Sequence, residues 1–157
     1  MTDFRALRLH QTDTATPDVK IELLTADDLS TGNVLIANEF SSLNYKDALA
    51  VTGKGKIIRN FPMIPGIDAA GVVLESDDPH FNPGEHVILT GHGVGETHTG
   101  GMSEQVRGPG SYLVRTPHAL NSRQAMQFGT GGLTGMLCVL ALLDSDLKPA
   151  DGPIAVS

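Results

Sequence analysis

Five short apolar runs fill the N-terminal part of the chain: FRALRLH from Phe4, VKIELLT from Val19, NVLIANEF from Asn33, AAGVVLES from Ala69 and HVILT from His86. Each has the β-branched and aliphatic content of a strand. Gly and Pro stand between them at Gly32, Gly53, Gly55, Pro62, Pro65, Gly66, Pro79, Pro83 and Gly84. That punctuation suits a compact barrel or sandwich whose loops carry function. One short helix is expected inside this β region, over Tyr45 to Val51, because Asn44 can cap the free amides of a first turn.

Around residue 121 the pattern changes. Asn121 or Ser122 is a plausible N-cap for SRQAMQFG. After the glycines comes LTGMLCVLALLDS, apolar on nearly all sides, as a helix buried between layers would be. Cys138 lies in that run and is expected to be a small buried hydrophobe. A Pro-Ala-Asp-Gly-Pro turn follows from Pro149, and Ile154 to Ser157 look like the start of a buried parallel strand. In a dinucleotide-binding unit the next feature would be Gly-x-Gly-x-x-Gly, and the 157 residues contain none. A chain of this length holds one domain with its own core, or one domain and a piece of a second.

The net charge of −7 argues against a nucleic acid or an anionic membrane as partner. No run approaches the ~18 consecutive apolar residues of a membrane span, so no membrane partner is expected. No basic n-region followed by an apolar h-region opens the sequence, and a cytoplasmic location is expected. The single Cys138 excludes an intrachain disulfide framework and a Cys-rich zinc site.

Three glycine-rich stretches, TGKGK, TGHGVGE and GTGGLTG, invite a phosphate-binding reading, but none follows a strand and opens a helix in a complete βαβ unit. TGHGVGE reads first as a loop needing positive φ, and second as a loop whose backbone approaches a ligand. His86, His92 and His98 are evenly spaced, yet the interval matches no metal-ligand pattern, so no metal site is expected. His92 alone is placed near a ligand. Lys46, Lys54, Lys56 and Arg59 gather four of the eleven basic residues in one segment of an acidic chain. They form either a solvated loop or a landing site for an anionic substrate tail.

SSLNYKDALAVTGKGKIIRNFPMIPGIDAAGVV, with FNPGEHVILTG, GGMSE and GTGGLTGMLCVLAL, resembles the medium-chain dehydrogenase/reductase superfamily, and most closely its acrylyl-CoA reductase and quinone-oxidoreductase-like branch. The resemblance implies a mainly β, GroES-like catalytic-domain barrel over residues 1–121. Residues 122–157 would be the first helices and first strand of an incomplete α/β Rossmann domain. It also implies an NADPH cofactor contacted by Asn44, Tyr45, Thr130, Thr134 and Ser157, with Tyr45 as the catalytic candidate. Lys54, Lys56, Arg59 and His92 would be substrate contacts, and the protein a homo-oligomer acting on a small molecule. Zinc enzymes of the superfamily place metal ligands at positions matching Asn44, Ile67 and Thr130. An amide, an alkyl chain and a neutral hydroxyl do not make a zinc shell, so a zinc-independent enzyme is expected.

The implied reaction is reduction of the activated C=C bond of an α,β-unsaturated acyl-CoA, with a quinone or enone oxidoreductase as the alternative. A non-catalytic GroES-like binding module is the reading from another class. The 157 residues alone are expected to bind NADPH feebly and to be inactive, for want of a pyrophosphate-binding helix start.

Overall fold

The computed structural model describes residues 3–145 and 147–153. Among the described residues seven strands form: β1 (Phe4–His10), β2 (Asp18–Leu24), β3 (Val34–Phe40), β4 (Asp68–Ser76), β5 (His86–Thr90), β6 (Gln105–Gly108) and β7 (Leu113–Arg115). Two helices accompany them, α1 (Tyr45–Thr52) and α2 (Ser122–Asp144). The five apolar runs thus became β1 to β5. The two short edge strands β6 and β7 were not anticipated, because QVRG and LVR are too brief to show an alternation.

β1 and β2 form an antiparallel hairpin, and the other strands make an antiparallel sheet in the order β6-β3-β4-β5-β7. Side chains two apart share a face of a strand. Val34 and Ile36 of β3, Ala69 and Val73 of β4, Val87 and Leu89 of β5, and Val106 of β6 accordingly meet in the principal core. The opposite face has two covers. At one end Leu35 joins Phe4, Ala6 and Leu24 of the hairpin. At the other, Ala70 and Ile88 receive Ala125 and Met126 from the first turns of α2. The hairpin is tied in by backbone bonds from Leu7 N–H to the Met102 carbonyl, 2.9 Å, and from Leu9 N–H to the Met63 carbonyl, 2.8 Å.

Asn121 caps α2 as expected: its Oδ1 accepts from Gln124 N–H at 2.9 Å, and Gln124 Oε1 accepts from Asn121 N–H at 3.0 Å. The two predicted helical runs are joined into one element with a kink at Gly129, φ 48° and ψ −154°. The burial expected beyond the kink is not found. Leu133, Met136, Leu137, Leu140 and Leu143 are exposed, and so is Cys138. The turns before the kink pack on the sheet and Thr130 just after it bonds Asp68 of β4, but an all-round apolar helix is covered only where a second layer exists. By length and mean hydropathy, 1.5 over its best window, α2 passes for a membrane span, contrary to the count of consecutive apolar residues. Its first turns are nevertheless docked on β4 and β5, and Thr130–Asp144 is shorter than the ~20 residues a span needs. The strand expected over Ile154 to Ser157 lies outside the described residues.

Gly71 sits in β4 opposite Asn38, where the pairing of β3 with β4 slips register between Asn38 and Phe40. A Cβ on Gly71 would collide with the Ala37 carbonyl oxygen. Gly71→Ala is therefore expected to destabilise the fold by about 1–3 kcal/mol. At Gly135, inside α2, a Cβ meets nothing within 4 Å. Gly135→Ala is expected to stabilise by about 0.5–1 kcal/mol through helix propensity. Urea midpoints moving in opposite directions for the two variants would bear this out.

Candidate active site

Three segments distant in sequence converge on one carboxylate. β3 ends at Phe40 and the chain runs through Ser41–Leu43 to Asn44, the N-cap of α1. β4 begins at Asp68, which is fully buried at 0% exposure. The kink at Gly129 turns the next residue of α2 inward. Asp68 Oδ2 accepts from Ser42 Oγ, from Asn44 Nδ2 at 3.1 Å and from Thr130 N–H at 2.9 Å. Its Oδ1 accepts from Thr130 Oγ1 at 2.6 Å. The kink frees an amide from the helical ladder, and Asp68 satisfies it. Only glycine fits at the bend: φ lies in the left-handed region, and a Cβ there would stand 2.6 Å from Ser42 Oγ and 2.9 Å from Asp68 Oδ2.

Burial pushes the Asp68 carboxyl up. Hydrogen bonds from Ser42, Thr130 and Asn44 more than offset this, and the group is held below the ordinary carboxylate range. Asp47, one turn into α1, goes the other way. Burial raises it, the neighbouring Asp68 charge adds to that, and the amide hydrogen bonds it accepts oppose the rise. Asp47 Oδ2 accepts from Asn44 N–H at 2.8 Å and so holds the start of α1. Asp47 thus fixes its loop through a backbone amide, and Asp68 through one backbone amide and three side-chain donors.

Of the residues expected at the site, Asn44 and Thr130 share the Asp68 cluster directly. Thr134 lies one turn beyond Thr130 and donates from Oγ1 to the Thr130 carbonyl at 2.8 Å. Tyr45 follows Asn44 at the first helical position and is 80% exposed. Lys54, Lys56 and Arg59 are exposed on the loop after α1 and make no hydrogen bond to the cluster. Ser157 lies outside the described residues. His92, at φ 55°, stacks on the Tyr112 ring at 4.3 Å with 8° between the planes. His98 Nε2 is 2.9 Å from the Arg107 carbonyl oxygen. His92 and His98 both pack on the Tyr112 ring, and among the described residues no group of three or more His, Cys, Asp or Glu is placed to hold a metal.

Sequence reasoning missed Ser42, whose partners lie far along the chain, and the kink at Gly129, which the GTGGLTG run signals only as a glycine cluster. It also missed the cleft beside the cluster. This cavity of about 470 Å³ opens between Ser41, Leu43 and Asn44 on one side and Met126, Phe128 and Gly131 on the other. A carboxylate surrounded by neutral donors next to a half-apolar cleft can orient an amide and a hydroxyl toward a flat, polar-edged ligand.

Because its folded-state pKa is depressed, Asp68 contributes stability above the unfolded value of about 3.9, and loses it as pH falls through the folded value. Asp47 has the opposite sign: its buried charge lowers stability at neutral pH, and the loss is relieved as pH drops through its raised value. Asp68→Asn is expected to lower stability at neutral pH by about 2 kcal/mol, since an amide cannot accept all four donors. It should also flatten the decline in stability below about pH 4. Denaturant melts of both proteins between neutral pH and pH 3 measure the two effects; an unchanged acid limb would contradict the assignment.

Comparison with known proteins adds to this geometry. The alcohol dehydrogenase GroES-like domain profile matches residues 30–118. The acrylyl-CoA reductase AcuI of Ruegeria pomeroyi is 44% identical over 137 residues, which cover 87% of this chain and 42% of that protein. Escherichia coli K-12 YhdH, solved with bound NADPH, superposes with a TM-score of 0.91 at 54% identity, over 94% of this chain and 45% of that one. Bacillus subtilis YhfP, solved with NAD bound, gives 0.92 at 39% identity, over 97% and 46%. The chain spans about half the length of the curated relatives it matches, 47% and 42% of the first two. With its five-stranded antiparallel sheet and a profile match over more than half its length, the chain belongs to the alcohol dehydrogenase GroES-like domain family.

Proposed function

We propose that this chain is the substrate-side part of a zinc-independent, NADPH-dependent reductase acting on the activated C=C bond of an α,β-unsaturated acyl-CoA such as acrylyl-CoA. Residues 1–121 form its catalytic domain in this reading, and residues 122–157 begin its dinucleotide-binding domain. One observation carries it: Ser42 and Asn44, both bonded to the buried Asp68 carboxylate that also holds Thr130, line a cleft together with Met126 and Phe128. The name of the Ruegeria relative and the NADPH in the Escherichia coli structure supply the substrate and cofactor class.

The residues do not fit zinc. The hydrogens of Asn44 Nδ2 and Thr130 Oγ1 are directed at Asp68, and Asp68 itself accepts four hydrogen bonds. They do fit a nicotinamide, whose flat ring matches the apolar side of the cleft at Met126 and Phe128 and whose carboxamide matches the polar side at Asn44. When bound, the cofactor supplies a hydride to the β-carbon of the substrate.

The chain's own groups do the rest. Asp68 holds Asn44 Nδ2, which leaves the Asn44 carbonyl oxygen as an acceptor for the carboxamide. Thr130, bonded to Asp68 by both its amide and its hydroxyl, fixes the α2 turn from which Thr134 contacts the cofactor. Tyr45 donates from its exposed phenol to the substrate carbonyl oxygen, where negative charge gathers as the hydride arrives. Neutral donors suffice because that charge is delocalised over an enolate rather than localised on an alkoxide. Lys54, Lys56, Arg59 and His92 stand as substrate contacts in this reading, and the basic loop favours an acyl-CoA over a quinone or enone.

A protein joining these residues to a complete dinucleotide-binding domain is expected to oxidise NADPH with acryloyl-CoA, and Tyr45→Phe to lower kcat about 10- to 100-fold with KM little changed. Activity lost to a chelator and restored by zinc would overturn the metal-free reading. No turnover with acryloyl-CoA, but turnover with quinones, would favour the alternative; no NADPH oxidation at all would leave the non-catalytic binding module. The 157 residues alone are expected to bind NADPH weakly, which equilibrium titration measures. The open apolar face of α2 is expected to drive self-association, and a sharp monomer boundary in sedimentation velocity would contradict it.

A further inference from the structure

At the far end of α1 a second cleft, of about 430 Å³, opens between the loop of residues 11–17 and the loop of residues 53–61. Its walls are mixed in a particular way: Pro17, Ala50, Ile58 and Phe61 are apolar, and Lys56 and Arg59 bring positive charge. Both loops are held in place. Thr12 Oγ1 donates to the Thr16 carbonyl at 2.8 Å, and Gly53 approaches the Ala15 carbonyl so closely that no Cβ fits between them. Arg59 N–H donates to the Glu96 carbonyl at 3.1 Å.

The charges of the loop are unequal in availability. Lys46 is paired with Glu96 at 2.7 Å. The ion pairs among the described residues involve neither Lys56 nor Arg59. Lys54 is exposed and does not line the cleft. Two unpaired cations beside an apolar slot, in a chain of net charge −7, form a local attractor for an anion that carries a flat apolar body.

Building on the reading of the chain as an acyl-CoA reductase, we propose that this cleft binds the 3'-phosphoadenosine end of the CoA thioester. The adenine lies against Phe61 and Ile58, and the phosphate between Lys56 and Arg59. α1 has eight residues and so is about 12 Å long, which sets the separation that the pantetheine arm bridges to bring the acyl group to Asn44 and Tyr45. The chemistry recognised is a phosphorylated adenosine, and NADPH carries one too, at its 2'-position; the experiment separates the two sources.

Isothermal titration of the 157-residue chain with CoA, dephospho-CoA and NADP+ tests the assignment without any need for turnover. CoA is expected to bind about tenfold more tightly than dephospho-CoA. The Lys56→Ala/Arg59→Ala variant should lose that difference, and Arg123→Ala, at the first turn of α2, should keep it. These positions are exposed, and thermal melts of the variants confirm that they fold. Equal binding of CoA and dephospho-CoA, an equal loss in Arg123→Ala, or displacement of CoA by NADP+ would each overturn the site. CoA binding in a protein that fails to reduce acryloyl-CoA would remove the reductase reading and leave the site, whereas reduction of acryloyl-CoA with no CoA preference would do the reverse.

Discussion

The Asp68 carboxylate is the point on which the site depends. Its four donors come from the segment before α1, from Asn44 at the helix cap and from the bend of α2. The β-ladder does not join the Asn44 cap to the bend of α2, and the carboxylate is the direct hydrogen-bonded link between Asn44 and Thr130. A buried charge is tolerated only when its hydrogen-bonding capacity is met, and here neutral groups meet it. A metal would need those same donors turned around.

The sheet explains why these segments arrive at one place. Alternation along β3 to β6 puts one face into the principal core and leaves the other to be covered from two ends, by the β1–β2 hairpin and by the first turns of α2. Asp68, as the first residue of β4, lies where α2 crosses that strand. Its neighbour Asp47 is buried with a raised pKa, so the two carboxylates respond to acid in opposite senses. The fold thus holds two buried acids a few residues from its open cleft, one held below the ordinary carboxylate range and the other above it.

Much of this was legible in the amino-acid sequence, and the parts that were not share a cause. The runs that became β1 to β5 announced themselves because β-branched and aliphatic residues gather in them between Gly and Pro, and both helix caps were readable as local chemistry. Asn44 and Thr130 were singled out by resemblance to known motifs, and no local pattern would have joined them. Ser42 and the bend at Gly129 escaped notice because their partner, Asp68, lies 26 residues from the first and 62 from Thr130, which the bend turns inward. The burial expected for Leu133, Leu137 and Cys138 is not found, because it presupposed a covering layer that these residues do not have here.

The bend in α2 also has an electrical consequence. A continuous helix carries one macrodipole, with about half a positive charge at its N-terminus. Interrupted at Gly129, the helix starts afresh at Thr130, and this second positive pole lies against the Asp68 carboxylate rather than in solvent. The field of the backbone itself then steadies the anion with no cation beside it, so the pocket can keep a fixed negative charge inside while offering only neutral atoms to whatever enters.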